Sequence, residues 1–175
     1  IEVLYVVPSR ARAGHEWQAE AAAILASGTP RWHIAQINVA RFREARGSPA
    51  NAPFEAALDE VNALAEAAPG FVWRMIGEGE NADGSVFGDD RLTLNLTVWR
   101  SIADLAAFAY RNQTHRAIMR RRREWFDELP AYLALWWVKA GATPTLFDAK
   151  ARLELIARLG PTAEAFDFRT PFPHP

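Results

Sequence analysis

From Leu92 to Trp99 the chain reads Leu-Thr-Leu-Asn-Leu-Thr-Val-Trp, apolar at nearly every second position. Successive side chains of a strand point to opposite faces, so this alternation fits a half-buried strand and no helix. A strand of this kind belongs to an antiparallel sheet that packs at least one face on a core. The rest of the chain supplies the partners. Trp32 to Val39, Phe71 to Ile76 and Tyr132 to Val138 are strand-length and apolar. Phe54, Leu58, Val61 and Leu64 recur at helical spacing before Pro69-Gly70 stops them. Ser101 with Asp104 makes a helix start, and Ile102, Leu105 and Phe108 mark its buried face. That helix is expected to break near Asn112 and restart at Thr114, with Ile118, Arg122 and Trp125 on one stripe. The order is strand, helix, strand, strand, helix, strand. It predicts an α+β, ferredoxin-like βαββαβ fold with a four-stranded antiparallel sheet.

The two halves repeat. Gln36 corresponds to Asn95 and Asn38 to Thr97 at a constant offset, and in the usual strand order 4-1-3-2 all four share one sheet face. With 175 residues, half of them hydrophobic, the chain is expected to form one core needing neither metal nor disulfide. Residues 1–30 read as an arm with one helical segment, and residues 31–140 as the ferredoxin-like domain. Residues 141–175 read as a helix framed by Thr145, Leu153, Ile156 and Gly160-Pro161, with an extended Phe- and Pro-rich tail on the same domain.

Composition excludes more than it selects. The absence of cysteine removes thiol nucleophiles, iron–sulfur clusters and disulfide frameworks, and fits a cytoplasmic protein. A net charge of −1 gives no general pull toward nucleic acid or acidic membrane. The longest apolar run, Ala131 to Val138, is too short to span a bilayer, and Ile1 to Pro8 lacks the basic flank of a signal peptide. No metal is expected, because the four histidines are scattered and the H-E-x-x-H spacing is absent. Asn81, Asp83, Gly84 and Asp90 form only part of a calcium-loop pattern, with Gly79 at the first acidic position; a lid over the site suits that loop better. No nucleotide loop or serine elbow is present.

The ferredoxin-like helices are expected on the side of Ile37, Val39, Leu94, Leu96 and Val98. The opposite face would then carry Trp32, Ile34, Val72, Ile76, Trp99 and Trp136, too apolar to be left in water. A second copy packed sheet to sheet would cover it, which predicts a homodimer closing into an α+β barrel. Several segments also resemble a known family. They are Trp32 to Phe42, Ala68 to Arg74, Arg91 to Trp99, Arg120 to Phe126, Leu133 to Val138 and Gly160 to Phe168. Together they are similar to a bacterial family defined as domain of unknown function 3291. The resemblance runs over residues 31–172 and implies the dimeric α+β barrel superfamily. That superfamily also holds antibiotic-biosynthesis monooxygenases, haem-degrading enzymes, chlorite dismutases and polyketide cyclases. It implies no single reaction and carries no catalytic residue across.

A small-molecule pocket needs apolar walls and a few orienting polar groups. Trp32, Trp99 and Trp136 as walls, with Gln36, Asn38 and Thr97, are the candidate substrate-binding set. Arg74, Asn95 and His115 are the catalytic candidates: Arg74 and Asn95 to steady a developing oxyanion, and His115 as acid, base or haem ligand. The blander alternative is that these polar groups pair across the dimer as structural hydrogen bonds. His33 has the opposite strand parity from Gln36 and is expected to face the helices. Arg120 to Arg123 spread around a helix and read as a solvated face, with Arg122 the exception. The expected function is binding and conversion of a small apolar or aromatic compound, monooxygenase-like or cyclase- or isomerase-like, without an organic cofactor. A non-catalytic dimer and a haem protein are the alternatives.

Overall fold

The computed structural model describes residues 31–76 and 85–175. The arm expected over residues 1–30 and most of the Gly77–Asp90 loop, with its calcium and lid readings, lie outside the described residues. The elements are β1 (Trp32–Phe42), α1 (Ala52–Glu55), α2 (Leu58–Glu66), β2 (Phe71–Arg74), a 3-10 turn at Ser85–Phe87, β3 (Leu92–Trp99), α3 (Ile102–Arg111), α4 (Gln113–Arg121), a second 3-10 turn at Arg122–Glu124, β4 (Phe126–Asp127), β5 (Leu133–Lys139) and α5 (Leu146–Leu159). The fold is the ferredoxin-like α+β arrangement, with the two-residue β4 added to the expected sheet.

β1 is the spine of the sheet. It pairs antiparallel with β3 from Ile34↔Trp99 to Arg41↔Leu92. On its other side it pairs antiparallel with β5, from Trp32↔Lys139 to Asn38↔Leu133, and then with β4 at Arg41 and Phe42. β2 takes the far side of β3, with a bulge between Phe71 and Trp73. The β1–β3 register sets Gln36 opposite Thr97 and Asn38 opposite Asn95, so the four polar residues do share one face.

Helices cover both faces of this sheet, and their placement reverses the expected one. Ile34, Trp99 and Leu135 pack with Ala65 of α2 and Ile102, Leu105 and Ala106 of α3. The face with Gln36 and Thr97 is therefore the one under α2 and α3. The face of Ala35, Ile37, Val39, Leu96 and Val98 packs against Leu146, Ala149 and Leu153 of α5 instead. Those three side chains recur at helical spacing and form the buried stripe of α5. Trp136 is also corrected: it stands opposite Ala35 and belongs to the α5 face, away from Trp32 and Trp99. His33 has the parity of Ala35, so it too lies on the α5 side and not under α2 and α3. Among the described residues neither face of the sheet is left bare, so no second copy is needed to cover an open sheet.

Local chemistry explains where the helices sit. Ser101 Oγ accepts from the Asp104 backbone N–H at 3.1 Å and caps α3. Gly70, at φ 82°, brings the chain so close to that cap that a Cβ there would overlap the Asp104 side chain. Thr145 and Asp148 form a reciprocal capping box at the start of α5, and Gly160 ends it. The tail then returns to β5. Leu135 and Phe166 exchange backbone hydrogen bonds of 2.8 and 2.9 Å, and the Trp137 indole N–H donates to the Phe172 carbonyl at 2.8 Å. Phe166 and Phe168 are buried in the α2/α3 layer as a result.

Candidate functional site

A cleft of about 370 Å³ opens beside the far end of the β1–β3 pair. Asn38 and Ala40 of β1 and Thr93 and Asn95 of β3 contribute to its sheet side. Phe54 of α1, Leu58 of α2, Met119 of α4 and Phe126 of β4 supply apolar and aromatic walls. Arg43, Arg122, Arg123, Asp127 and Glu128 bring charge to the lining, and Leu129 and Tyr132 complete it on the β4–β5 link. Phe126 is held in place by edge contact with Phe54 at 4.8 Å and by Phe42 at 4.9 Å. Among the described residues of the lining, three arginines stand against two carboxylates.

The polar residues behind this cleft form a single chain. The Trp99 indole N–H donates to Thr97 Oγ1 at 3.0 Å, and the Thr97 hydroxyl donates to Gln36 Oε1 at 2.8 Å. Gln36 Nε2 then donates to Asn38 Oδ1 at 2.7 Å. Thr97 and Gln36 are buried, so this chain spares each of them the cost of an unmade hydrogen bond. It also runs from the core under α3, where Trp99 stacks on Phe108 at 5.4 Å, to the cleft wall at Asn38.

The expected site residues thus divide. Asn38 and Asn95 line the cleft, and Gln36, Thr97 and Trp99 stand behind Asn38 in the hydrogen-bonded chain. Arg74 is outside the cleft lining and pairs with Glu66 of α2 at 2.5 Å, tying that helix to β2. Trp32 is half-buried at the start of β1 and also outside the lining. Trp136 lies on the other face. His115 is in α4, but its side chain is outside the described residues. Among the described residues no three His, Asp or Glu side chains converge as a metal site. No helix among them is long and apolar enough to cross a membrane.

Sequence reading missed Phe54, Leu58 and Phe126 as walls, and it missed the β4–β5 link altogether. The one signal available was Arg122, which shares a stripe with Ile118 and Trp125. The chain tightens into a 3-10 turn at Arg122–Glu124, and this turn brings Arg122 and Arg123 together at the cleft. Arg121 goes elsewhere, to Glu124 at 2.8 Å and over the Trp125 ring at 4.9 Å. Burial pushes the Tyr132 phenol above the ordinary value of 10.0, so it remains protonated at neutral pH. Tyr110, which burial also pushes up, is close enough to Tyr132 for their charges to interact.

No curated protein is significantly similar to the chain in sequence. Among solved structures, the chain is similar to a protein of Nitrosomonas europaea described as an antibiotic biosynthesis monooxygenase. The TM-score is 0.43 at 13% identity, over 67% of this chain and 97% of that one. It is also similar to SnoaB, a cofactor-independent oxygenase from Streptomyces nogalater, with a TM-score of 0.39 at 16% identity over 65% and 96% of the two chains. The model of domain of unknown function 3291 matches residues 33–175, which is most of the sequence, and the chain belongs to that family.

Proposed function

We propose that this chain binds a small, largely apolar or aromatic molecule in the cleft between its sheet and helices, and acts on it there. The observation that carries the reading is the lining itself. Phe54, Leu58, Met119 and Phe126 offer apolar surface beside a few polar groups at Asn38, Asn95 and Tyr132, the usual composition of a ligand pocket. Apolar walls exclude water, and amide and phenol donors stabilise negative charge that develops on a substrate oxygen. A substrate carbanion or enolate has these requirements in cofactor-free oxygenation and in isomerisation alike, and the lining serves both. The pocket lies within one chain, so the reading does not need a barrel lumen between two copies.

A homodimer remains part of the proposal on different grounds. Ile76, Phe147 and Leu159 are large apolar side chains left exposed among the described residues, and a second copy packed on them would take that surface out of water. Native mass spectrometry of the protein from a bacterial host tests both parts. The expected result is a dimer carrying a defined extra mass, which Leu58→Trp removes by filling the cleft at its rim. Retention of the mass by Leu58→Trp, or a ligand whose chemical-shift footprint avoids Asn38 and Asn95, would overturn the site.

A further inference from the structure

We infer that the cleft selects aromatic carboxylates, and that Asn38 is the residue that sets this preference; the inference rests on the cleft being a small-molecule site. The hydrogen-bonded chain behind the cleft has a direction. An indole N–H can only donate, so Thr97 Oγ1 accepts from Trp99 and gives its own hydrogen to Gln36 Oε1. That places the Gln36 amide nitrogen toward Asn38, whose Oδ1 accepts it. Reversing the Gln36 amide would give Thr97 two donors and leave its hydroxyl hydrogen unpaired in a buried position. The direction is therefore set from the core outward. Asn38 ends the chain with its Oδ1 occupied and its Nδ2 hydrogens unspent among the described residues.

A donor at this position recognises an oxygen acceptor and is wasted on an ammonium or a bare ring. The charges agree, since among the described residues Arg43 is paired with Asp127 at 3.7 Å, and Arg122 and Arg123 then stand against Glu128 alone around the same space. A charged acceptor gains more than a neutral one, because a hydrogen bond to an ionised group is the stronger kind. The rings of Phe54 and Phe126 offer the aromatic part of the ligand its contact surface. Asn38 and Thr97 thus have different roles. Asn38 faces the ligand, whereas Thr97 positions Asn38 through Gln36.

The probes are naphthoate, methylnaphthalene and naphthylmethylamine, which share one ring system and differ only in the head group. Their dissociation constants are measured by calorimetry on the full chain. The wild type is expected to hold naphthoate about tenfold more tightly than either of the others, the scale of one charge-assisted hydrogen bond. Asn38→Asp keeps the side-chain shape and still accepts from Gln36, but presents an acceptor to the cleft; the order of naphthoate and the amine should invert. Thr97→Ser should preserve the wild-type order, and Thr97→Val should erase it. Equal affinity for naphthoate and methylnaphthalene in the wild type overturns the inference and leaves the cleft a binding site. An order unchanged by Asn38→Asp also overturns it, and assigns the preference to the arginines. If none of the three probes binds, the inference and the proposed function both fall.

Discussion

Single side chains in this protein act through what they donate and what they are denied. Thr97 is the hinge of the polar chain, because it both accepts from Trp99 and donates to Gln36. Thr97→Val leaves two buried groups without partners and should cost about 2–6 kcal/mol, at roughly 1–3 kcal/mol for each unpaired group, while Thr97→Ser should cost far less. Urea denaturation of the two variants checks this. His33 is an opposite case. Its Nδ1 is buried without a partner among the described residues, and burial, with the Arg100 charge second, lowers its pKa from the ordinary 6.5. The folded state thus binds the His33 proton less readily than the unfolded state. The stability this gives is present above about pH 6.5 and is lost as pH falls through the lower folded value. His33→Leu should flatten the acid side of the stability profile, measured by denaturant midpoints from pH 7 down to pH 5. Sequence showed that Gln36, Asn38, Asn95 and Thr97 share a face, since strand parity is a local property. It could not show which of them would touch a ligand, because that depends on where the helices leave a gap.

At the scale of elements, the termini were the most readable features. Ser101 with Asp104, Thr145 and Gly160 all act in the structure as their residue types predict. Gly70 joins one of these ends to the sheet, since its carbonyl accepts from the Arg100 N–H at 2.7 Å beside the α3 cap. Gly70→Ala imposes a left-handed backbone on a Cβ and pushes it into Asp104, which disturbs the cap as well. A loss of about 2–4 kcal/mol is expected, combining the left-handed strain with the lost cap. Thermal unfolding of Gly70→Ala against wild type measures it, and a change under 1 kcal/mol would show that the turn relaxes. The β4–β5 link was harder to read. β4 is two residues long, and the 3-10 turn before it follows no hydrophobic period. Its position depends on Phe126 and Trp125 finding Phe42 and Phe54, contacts made between segments far apart in sequence.

The whole molecule is a sheet enclosed from both sides, and the C-terminal segment does much of the enclosing. α5 covers Ala35, Ile37 and Val98, and the tail that follows seals β5 at Leu135 and places Phe166 in the opposite layer. Phe166 is fully buried, and Phe166→Ala should cost about 3–5 kcal/mol, the range for emptying a packed aromatic site. Guanidinium denaturation with near-ultraviolet dichroism tests it, because Trp137 packs against Phe166 with ring centroids 6.4 Å apart and reports the loss directly. A small change would mean that the tail contributes little to the core.

Read by itself, the sequence carries the order of the main strands and helices and the two faces of each strand, with Gln36 and Asn38 on one face of β1 and Asn95 and Thr97 on one face of β3. These follow from periods of two and 3.6 residues and from capping chemistry, all of which act over a few neighbouring residues. Which helices cover which face depends on contacts between distant segments. Parity separates Ile34 and Trp99 from Ile37 and Val98, but both sets are apolar enough to be buried, and nothing local assigns one to α2 and α3 and the other to α5. The cleft was decided at the same level. It exists because three helices, a short 3-10 turn and the β4–β5 link meet beside Asn38 and Asn95, and a meeting of distant segments leaves no mark in the spacing of any one of them.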